Sequence, residues 1–283
     1  MMQVIHEKNH LKEMNALGQL TLSYTGNGYT TYKSYHPLTY RLNTVVTSRP
    51  DKPVLQDMEY NWTSFGNLQS RKKWLSRPGG ISLTESFGYD NLNRLDWINL
   101  NGVETGKHTY DISGLGNLTY KKADGTVLFG EAVYGGNDAG PHALSSATTA
   151  SGVFPAEEQS MRYNAFDKVT SITQGDKFLQ ITYGHHRQRI GQQYTAAGST
   201  TTKVYVGACE YITKRGETTI HTYLSGPEGL FAVVVKEPKG LYNIQYIHTD
   251  HLGSWNTISD AAGNRLQEIN FDAWGNRRDP NTW

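Results

Sequence analysis

Cysteine is nearly missing from this chain of 283 residues: Cys209 stands alone. One thiol excludes an intrachain disulfide. Its setting, Val204-Tyr-Val-Gly-Ala-Cys-Glu-Tyr-Ile212, is an apolar run with no basic neighbour, so it reads as a small buried hydrophobe rather than a reactive thiolate. Long apolar runs are missing too, and none approaches the ~18 residues of a membrane span. The first ten residues lack the charged and apolar regions of a signal peptide. Net charge is almost absent: 27 basic and 26 acidic residues leave +1, which removes any bulk electrostatic case for nucleic acid or an anionic membrane. Nucleotide and nucleophile motifs are lacking as well. Gly114-Leu-Gly116 continues as Asn-Leu-Thr119 and never completes a dinucleotide fingerprint, and there is neither a Walker loop nor a Gly-x-Ser-x-Gly elbow. Asp111, Asp124 and Asp272 fall in turn contexts, not in a shared-proton dyad. These absences predict a chain without catalysis and without a cofactor.

Tyrosine and glycine are plentiful, with 18 Tyr and 29 Gly against 9 Pro. Together they predict short strands joined by tight turns, because aromatics suit a pleated surface and glycine supplies positive φ. Turn chemistry marks the hairpins. Asp124-Gly125 separates Leu118–Lys122 from Thr126–Phe129, and Phe178–Tyr183 alternates after Gly175-Asp176. Phe231–Val235 turns through Glu237–Gly240 into Leu241–Ile247, and Asp260–Asn264 divides Thr257–Ser259 from a strand over Leu266–Phe271. Helices are expected only near His6–Leu17 and Pro155–Gln159. Residues 135–153, rich in Gly, Ser, Thr and Ala, read as a long loop inserted within one continuous sheet. The fold class is all-β.

A phrase, Tyr-Asp/Asn-x-x-Gly/Asn-x-Leu, recurs at intervals of roughly 20–30 residues, the period of a repeat architecture. It reads Tyr60-Asn61 with Gly66-Asn67-Leu68, then Tyr89-Asp90 with Asn93-Arg94-Leu95, then Tyr110-Asp111 with Gly116-Asn117-Leu118, and more loosely Tyr163-Asn164 and Tyr183-Gly184. Each part has a structural task. The tyrosine buries its ring while its hydroxyl reaches a polar group. The Asp or Asn bonds nearby backbone and starts the turn, and the Gly or Asn accepts positive φ before the return strand.

These residues resemble the YD repeats of Rhs (rearrangement hotspot) proteins. The likeness is strongest late in the chain, at Tyr246-Ile-His-Thr-Asp-His-Leu-Gly-Ser254, Asp260–Asn264 and Phe271-Asp-Ala-Trp-Gly-Asn276, which look like the start of the Rhs-associated core module. Trp255-Asn256 and Ala273 depart from the Pro-Arg and Pro that many members carry. The scaffold positions that the resemblance picks out are Tyr60, Tyr89, Asp90, Tyr110, Asp111, His248, Asp250, His251, Leu252, Gly253, Ser254, Asp272, Trp274 and Gly275. It implies antiparallel β-hairpin repeats forming part of a curved shell. The expected divisions are a partial repeat region over 1–55, a YD-repeat shell over 56–245 and a truncated core module over 246–283. Asn15–Leu20 resembles the second half of a repeat, and the sequence stops before the distal core signature, so both ends read as cut from a longer polypeptide.

The function implied by the resemblance is structural: a shell that encloses or displays a C-terminal toxin for competition between bacteria, secreted or at the cell surface. Its partners would be the rest of the same polypeptide, that effector and a secretion-system component. A cell-surface carbohydrate-binding or adhesion protein on the same repeats is the alternative, with Trp62, Trp74, Trp97, Trp255, Trp274 and Trp283 as the stacking candidates. His248-Thr-Asp-His251 and His185-His186 resemble metal pairs, but turn placement and the lack of a third clustered ligand favour hydrogen bonding within the fold.

Overall fold

The computed structural model describes residues 11–75, 80–112, 114–135, 141–142, 144–149, 152, 159–166, 168–226 and 229–283. Among them there is no helix. Two compact units divide the strands. The first contains the described parts of Met1–Thr25, Tyr29–Phe154 and Ile269–Trp283; the second contains those of Gly26–Gly28 and Pro155–Glu268.

In the first unit, Leu11–Met14 (β1), Leu20–Tyr24 (β2), Thr30–Tyr35 (β3) and Leu42–Ser48 (β4) lead. Gln56–Trp62 (β5), Leu68–Trp74 (β6), Ser82–Tyr89 (β7) and Leu95–Leu100 (β8) form the middle. Val103–Tyr110 (β9), Leu118–Ala123 (β10), Thr126–Tyr134 (β11) and Leu144–Thr149 (β12) complete a 12-stranded sheet in sequence order. The second unit adds Gln159–Tyr163 (β13), Val169–Gln174 (β14), Lys177–Tyr183 (β15) and Arg189–Ala196 (β16). Ser199–Val206 (β17), Cys209–Lys214 (β18), Glu217–Gly226 (β19) and Gly229–Lys236 (β20) follow. Tyr242–Thr249 (β21), Trp255–Asp260 (β22) and Arg265–Glu268 (β23) end an 11-stranded sheet, also in sequence order. Asn270–Phe271 (β24) and Arg277–Arg278 (β25) pair as a small hairpin that returns to the first unit. Neighbours run antiparallel and β1 does not pair with β12, so the first sheet is open rather than a barrel.

Burial follows the two-residue period of a strand. On β5, Gln56, Met58 and Tyr60 face inward, and on β7, Leu83, Glu85 and Phe87 do so. Val45, Met58 and Tyr60 centre the core of the first unit; Val233, Val235 and Ile247 centre that of the second. Each such apolar side chain contributes about 1.5–3 kcal/mol on burial. At Gly88 the missing side chain is itself a packing device. A Cβ there would lie 2.0 Å from the ring of Trp97, its cross-strand partner, so the indole lies across bare backbone.

Turns at the two rims of the first sheet differ. The rim joining β1–β2, β3–β4, β5–β6, β7–β8 and β9–β10 carries long turns. The opposite rim includes two-residue turns such as Asn101-Gly102 (φ 49° and 86°) and Asp124-Gly125 (φ 47° and 76°), the positive pairs that match strand twist.

Several expectations from sequence change here. Leu11–Met14, read as part of a helix, is a strand: the Asn15 turn lays it against β2, and the resulting backbone ladder overrides the helix preference of Leu-Lys-Glu-Met. The loop expected over 135–153 contains β12, which pairs with β11 despite carrying few bulky residues. The expected continuous sheet is two sheets, divided between β12 and β13. The boundary read at 245/246 falls inside β21. The strand expected over Leu266–Phe271 stops at Glu268, because Asn270 and Phe271 pair with Arg278 and Arg277 instead. The Pro155–Gln159 helix falls outside the described residues save Gln159, which opens β13.

Candidate functional site

The repeat phrase folds into one turn used again and again. In Asp90–Arg94, the Asp90 carboxylate accepts from the N–H groups of Leu92 and Arg94 (both 2.9 Å), while Asp90 N–H donates to Arg94 O (2.9 Å). Asp250 repeats this with Leu252 and Ser254, and Asp272 with Trp274 and Asn276. Asn15 and Asn164 do the same as amides. The fourth position is left-handed, taken by Gly253 (φ 83°) and Gly275 (φ 85°), and by Asn93 (φ 61°) where no glycine is present. Asp111 closes a longer loop, reaching Gly116 and Asn117. Although burial opposes it, the Arg94 N–H and guanidinium and the Leu92 N–H hold the Asp90 carboxyl below the usual range.

At five positions a tyrosine just before the turn ties one hairpin to the previous one. Tyr89 Oη donates to Leu68 O, and Tyr110 Oη to Leu95 O, both at 2.9 Å. Tyr35 does so to Leu20 O, Tyr134 to Leu118 O and Tyr183 to Val169 O. Every acceptor is the first residue after the preceding long turn. Burial raises the Tyr89 and Tyr110 phenols above their ordinary pKa and keeps them as donors. Tyr60, read as a repeat head, is displaced by two residues. The turn closes from Thr63 to Asn67, so Trp62 holds the latch position and its Nε1–H donates to Leu42 O (2.7 Å), while Tyr60 is buried in the core. Tyr89→Phe should lower stability by about 1 kcal/mol, the net worth of one such bond, seen as a lower urea midpoint at unchanged slope.

A second constellation seats the last fifteen residues on the first sheet. Glu85, 1% exposed, receives Arg71 from β6 (Nε to Oε2, 2.7 Å) and Arg278 from β25 in bidentate fashion (2.8 Å to each oxygen). Arg71 Nη2 donates to Phe271 O (2.6 Å) and Lys73 Nζ to Pro280 O (2.6 Å). The Trp283 ring lies near both guanidiniums, 5.2 Å from Arg71 and 4.8 Å from Arg278. Nearby, Trp274 Nε1–H donates to His108 Nε2 (2.8 Å). Burial and the Lys121 charge hold His108 below its ordinary pKa, so it is neutral and free to accept there. Lys121, itself lowered by burial although Asp272 opposes this, stands over the Trp274 ring at 4.1 Å. Burial, and Asp272 after it, raise the Asp124 carboxyl.

With this geometry established, the solved structures place the architecture. Over 95% of its length the chain matches the crystal structure of TcdB2-TccC3-TEV, with a TM-score of 0.75, 18% identity and 16% of that chain covered. The Photorhabdus luminescens Tc holotoxin pore with a mutation in TccC3 gives 0.76, at 18% identity, 95% of this chain and 16% of that one. The crystal structure of TcdB2-TccC3-Cdc42 gives 0.75, at 18% identity, 94% and 16%. The likeness is one of fold. No family model and no curated protein sequence matches the chain. It spans about a sixth of the length of the solved chains that it matches.

The remaining sequence candidates separate. His248 is buried in β21, where its Nε2 meets Ser259 Oγ at 2.9 Å; that oxygen also accepts from Asn27 Nδ2 (2.9 Å). Burial lowers the His248 pKa to about 4. His251 instead lies in the Asp250 turn, so the two imidazoles serve different elements. Among the described residues no group of three His, Cys, Asp or Glu side chains is gathered for a metal. Cys209 is half-buried, with Sγ 3.5 Å from Thr222 Oγ1.

All six tryptophans make contacts within the fold. Besides Trp62, Trp97, Trp274 and Trp283, Trp74 Nε1–H donates to Glu59 (3.2 Å) and Trp255 packs on the second core. Sequence reasoning missed Arg71, Lys73, Glu85, His108 and Arg278. The available signal was Glu85, a carboxylate set between Leu83 and Phe87 on a buried face.

Proposed function

We propose that the chain is a non-enzymatic structural segment of an Rhs-type YD-repeat shell, which in a full-length polypeptide encloses or displays a C-terminal toxin or effector for competition between bacteria. The observation that carries this reading is the fold shared over 95% of the chain with TcdB2-TccC3 structures. The latch supports it, because Tyr35, Tyr89, Tyr110, Tyr134 and Tyr183 are spent on joining hairpins. The shell would act outside the producing cell, secreted or at the cell surface, with the rest of its polypeptide and the effector as partners. A carbohydrate-binding role through tryptophan would fall to Trp274, which is 42% exposed but already held by His108 and Lys121.

Limited proteolysis of the native polypeptide from its source cells, with peptides mapped by mass spectrometry, tests enclosure. The expected result is a segment C-terminal to Trp283 that is cut only after denaturation. A segment cut equally fast in the folded and unfolded protein would overturn enclosure. Binding to a glycan array that Trp274→Ala abolishes would favour the carbohydrate reading.

A further inference from the structure

Two neighbouring long turns of the first sheet, those joining β3 to β4 and β5 to β6, line a cavity of about 270 Å³. His36, Arg41 and Asn43 reach it from the first turn and the strand that follows, and Gln69 from β6. Tyr60 and Trp62 of β5 complete the wall. No aspartate or glutamate lines it.

Arg41 is held in this cavity without being neutralised. Its Nη1 donates to Thr63 O of the next turn (3.1 Å). Gly66 makes room for the guanidinium: a Cβ there would lie 2.5 Å from Arg41 Nη2, so the cation rests on bare backbone. Among the described residues no carboxylate pairs with Arg41, and its Nε and Nη2 have no acceptor. The charge cannot be shed, because arginine stays protonated. His36 adds a second donor. Its Nδ1 accepts from the N–H groups of Leu38 (3.3 Å) and Thr39 (3.2 Å), which leaves the ring proton on Nε2. The side-chain amides of Asn43 and Gln69 have no partner among the described residues either. The cavity therefore offers a fixed cation, spare donors and two amides, with no anion of its own. A site whose cation is already positioned loses little entropy when a ligand binds.

We propose that this cavity binds a small polyhydroxylated carboxylate, the size of a single-ring sugar acid. The carboxylate pairs with Arg41 through the Nε and Nη2 donors, a match to which a guanidinium is suited. Asn43 and Gln69 each present a donor and an acceptor, which is what a hydroxyl needs from its partner. Volume sets the size of the ligand. At about 270 Å³ the cavity falls below the roughly 300–1,000 Å³ of sites that take drug-sized molecules, so one ring fills it. A phosphate is the poorer match, because its second charge would find neither another cation in the wall nor a helix N-terminus. Recognition here rests on charge and amides and not on a stacked indole, since Trp62 is tied to Leu42 O. The site adds to the shell reading and stands independently of it.

Saturation-transfer NMR of the full chain with sodium glucuronate tests the site, at low salt where the ion pair is least screened. The expected Kd is roughly millimolar. Glucose, which lacks the carboxylate, should bind about tenfold more weakly or worse. Arg41→Gln should abolish glucuronate binding. Gln69→Ala, at an exposed position away from the core, should weaken it about threefold or more and keeps the test open if Arg41→Gln disturbs the turn. No saturation transfer to glucuronate at several times the expected Kd would overturn the proposal. So would glucose binding as tightly as glucuronate, or glucose 6-phosphate binding more tightly than either. Glucuronate binding that survives both substitutions would also overturn it, by placing the ligand elsewhere on the chain.

Discussion

Glu85→Ala in the full chain is expected to cost about 3–5 kcal/mol, the largest loss from any single substitution considered for this protein. The carboxylate is 1% exposed and is shared by Arg71 and Arg278. Removing it leaves two guanidiniums facing one another out of water. Neither can lose its charge, because arginine stays protonated. The effect should reach residues 269–283, since Arg278 anchors that segment and Arg71 also holds the Phe271 carbonyl. Urea unfolding followed by tryptophan fluorescence would give the loss, and amide exchange would show residues 269–283 losing protection. Glu104→Ala is the control: its pairing with Lys122 is exposed and should be worth under about 1 kcal/mol. Equal midpoints for the two variants would mean that the buried cluster does not hold the segment.

Acid is expected to weaken the second unit through His248. An unfolded imidazole takes its proton near pH 6.5, whereas the folded one does so only near 4. Between those values the unfolded chain binds the extra proton. The contribution is therefore full above about pH 6.5 and is lost progressively as the pH falls toward 4. The interval of roughly 2.5 units corresponds to about 3 kcal/mol. His248→Gln keeps an amide near Ser259 and removes the titration. Carboxylates shift both proteins alike, so the difference between their urea midpoints at neutral pH and near pH 4.5 isolates the histidine. Parallel pH profiles would show that His248 is hydrated in the folded state.

The turns were the most legible part of this fold. Asp90 and Asp111 could be read from spacing, and Asp250 and Asp272 from the resemblance to the core module, because the hydrogen bonds that define such a turn lie within five or six residues. The latch was half legible: the need of a buried phenol for an acceptor was plain, but the acceptor is a main-chain carbonyl, which every sequence offers everywhere. Trp62 and Tyr60 stand two apart on one face, so periodicity could not choose between them; closure from Thr63 to Asn67 did. The Arg71–Glu85–Arg278 cluster was least legible, because the residues that bury Arg71 and Glu85 lie about two hundred positions away. The strand β1 was misread for a simpler reason: Leu, Lys, Glu and Met favour a helix until a partner strand is supplied.

The tyrosine latch bears on how such a chain can be edited. Donor and acceptor are unequal partners: one hairpin must provide a particular side chain, whereas the other offers only its peptide backbone. A hairpin therefore places no demand on the identity of the residue it follows. At the latch itself a unit can be duplicated, removed or exchanged without a matched change in its neighbour; only where side chains of adjacent hairpins meet, as at Arg71 and Glu85, must both partners travel together.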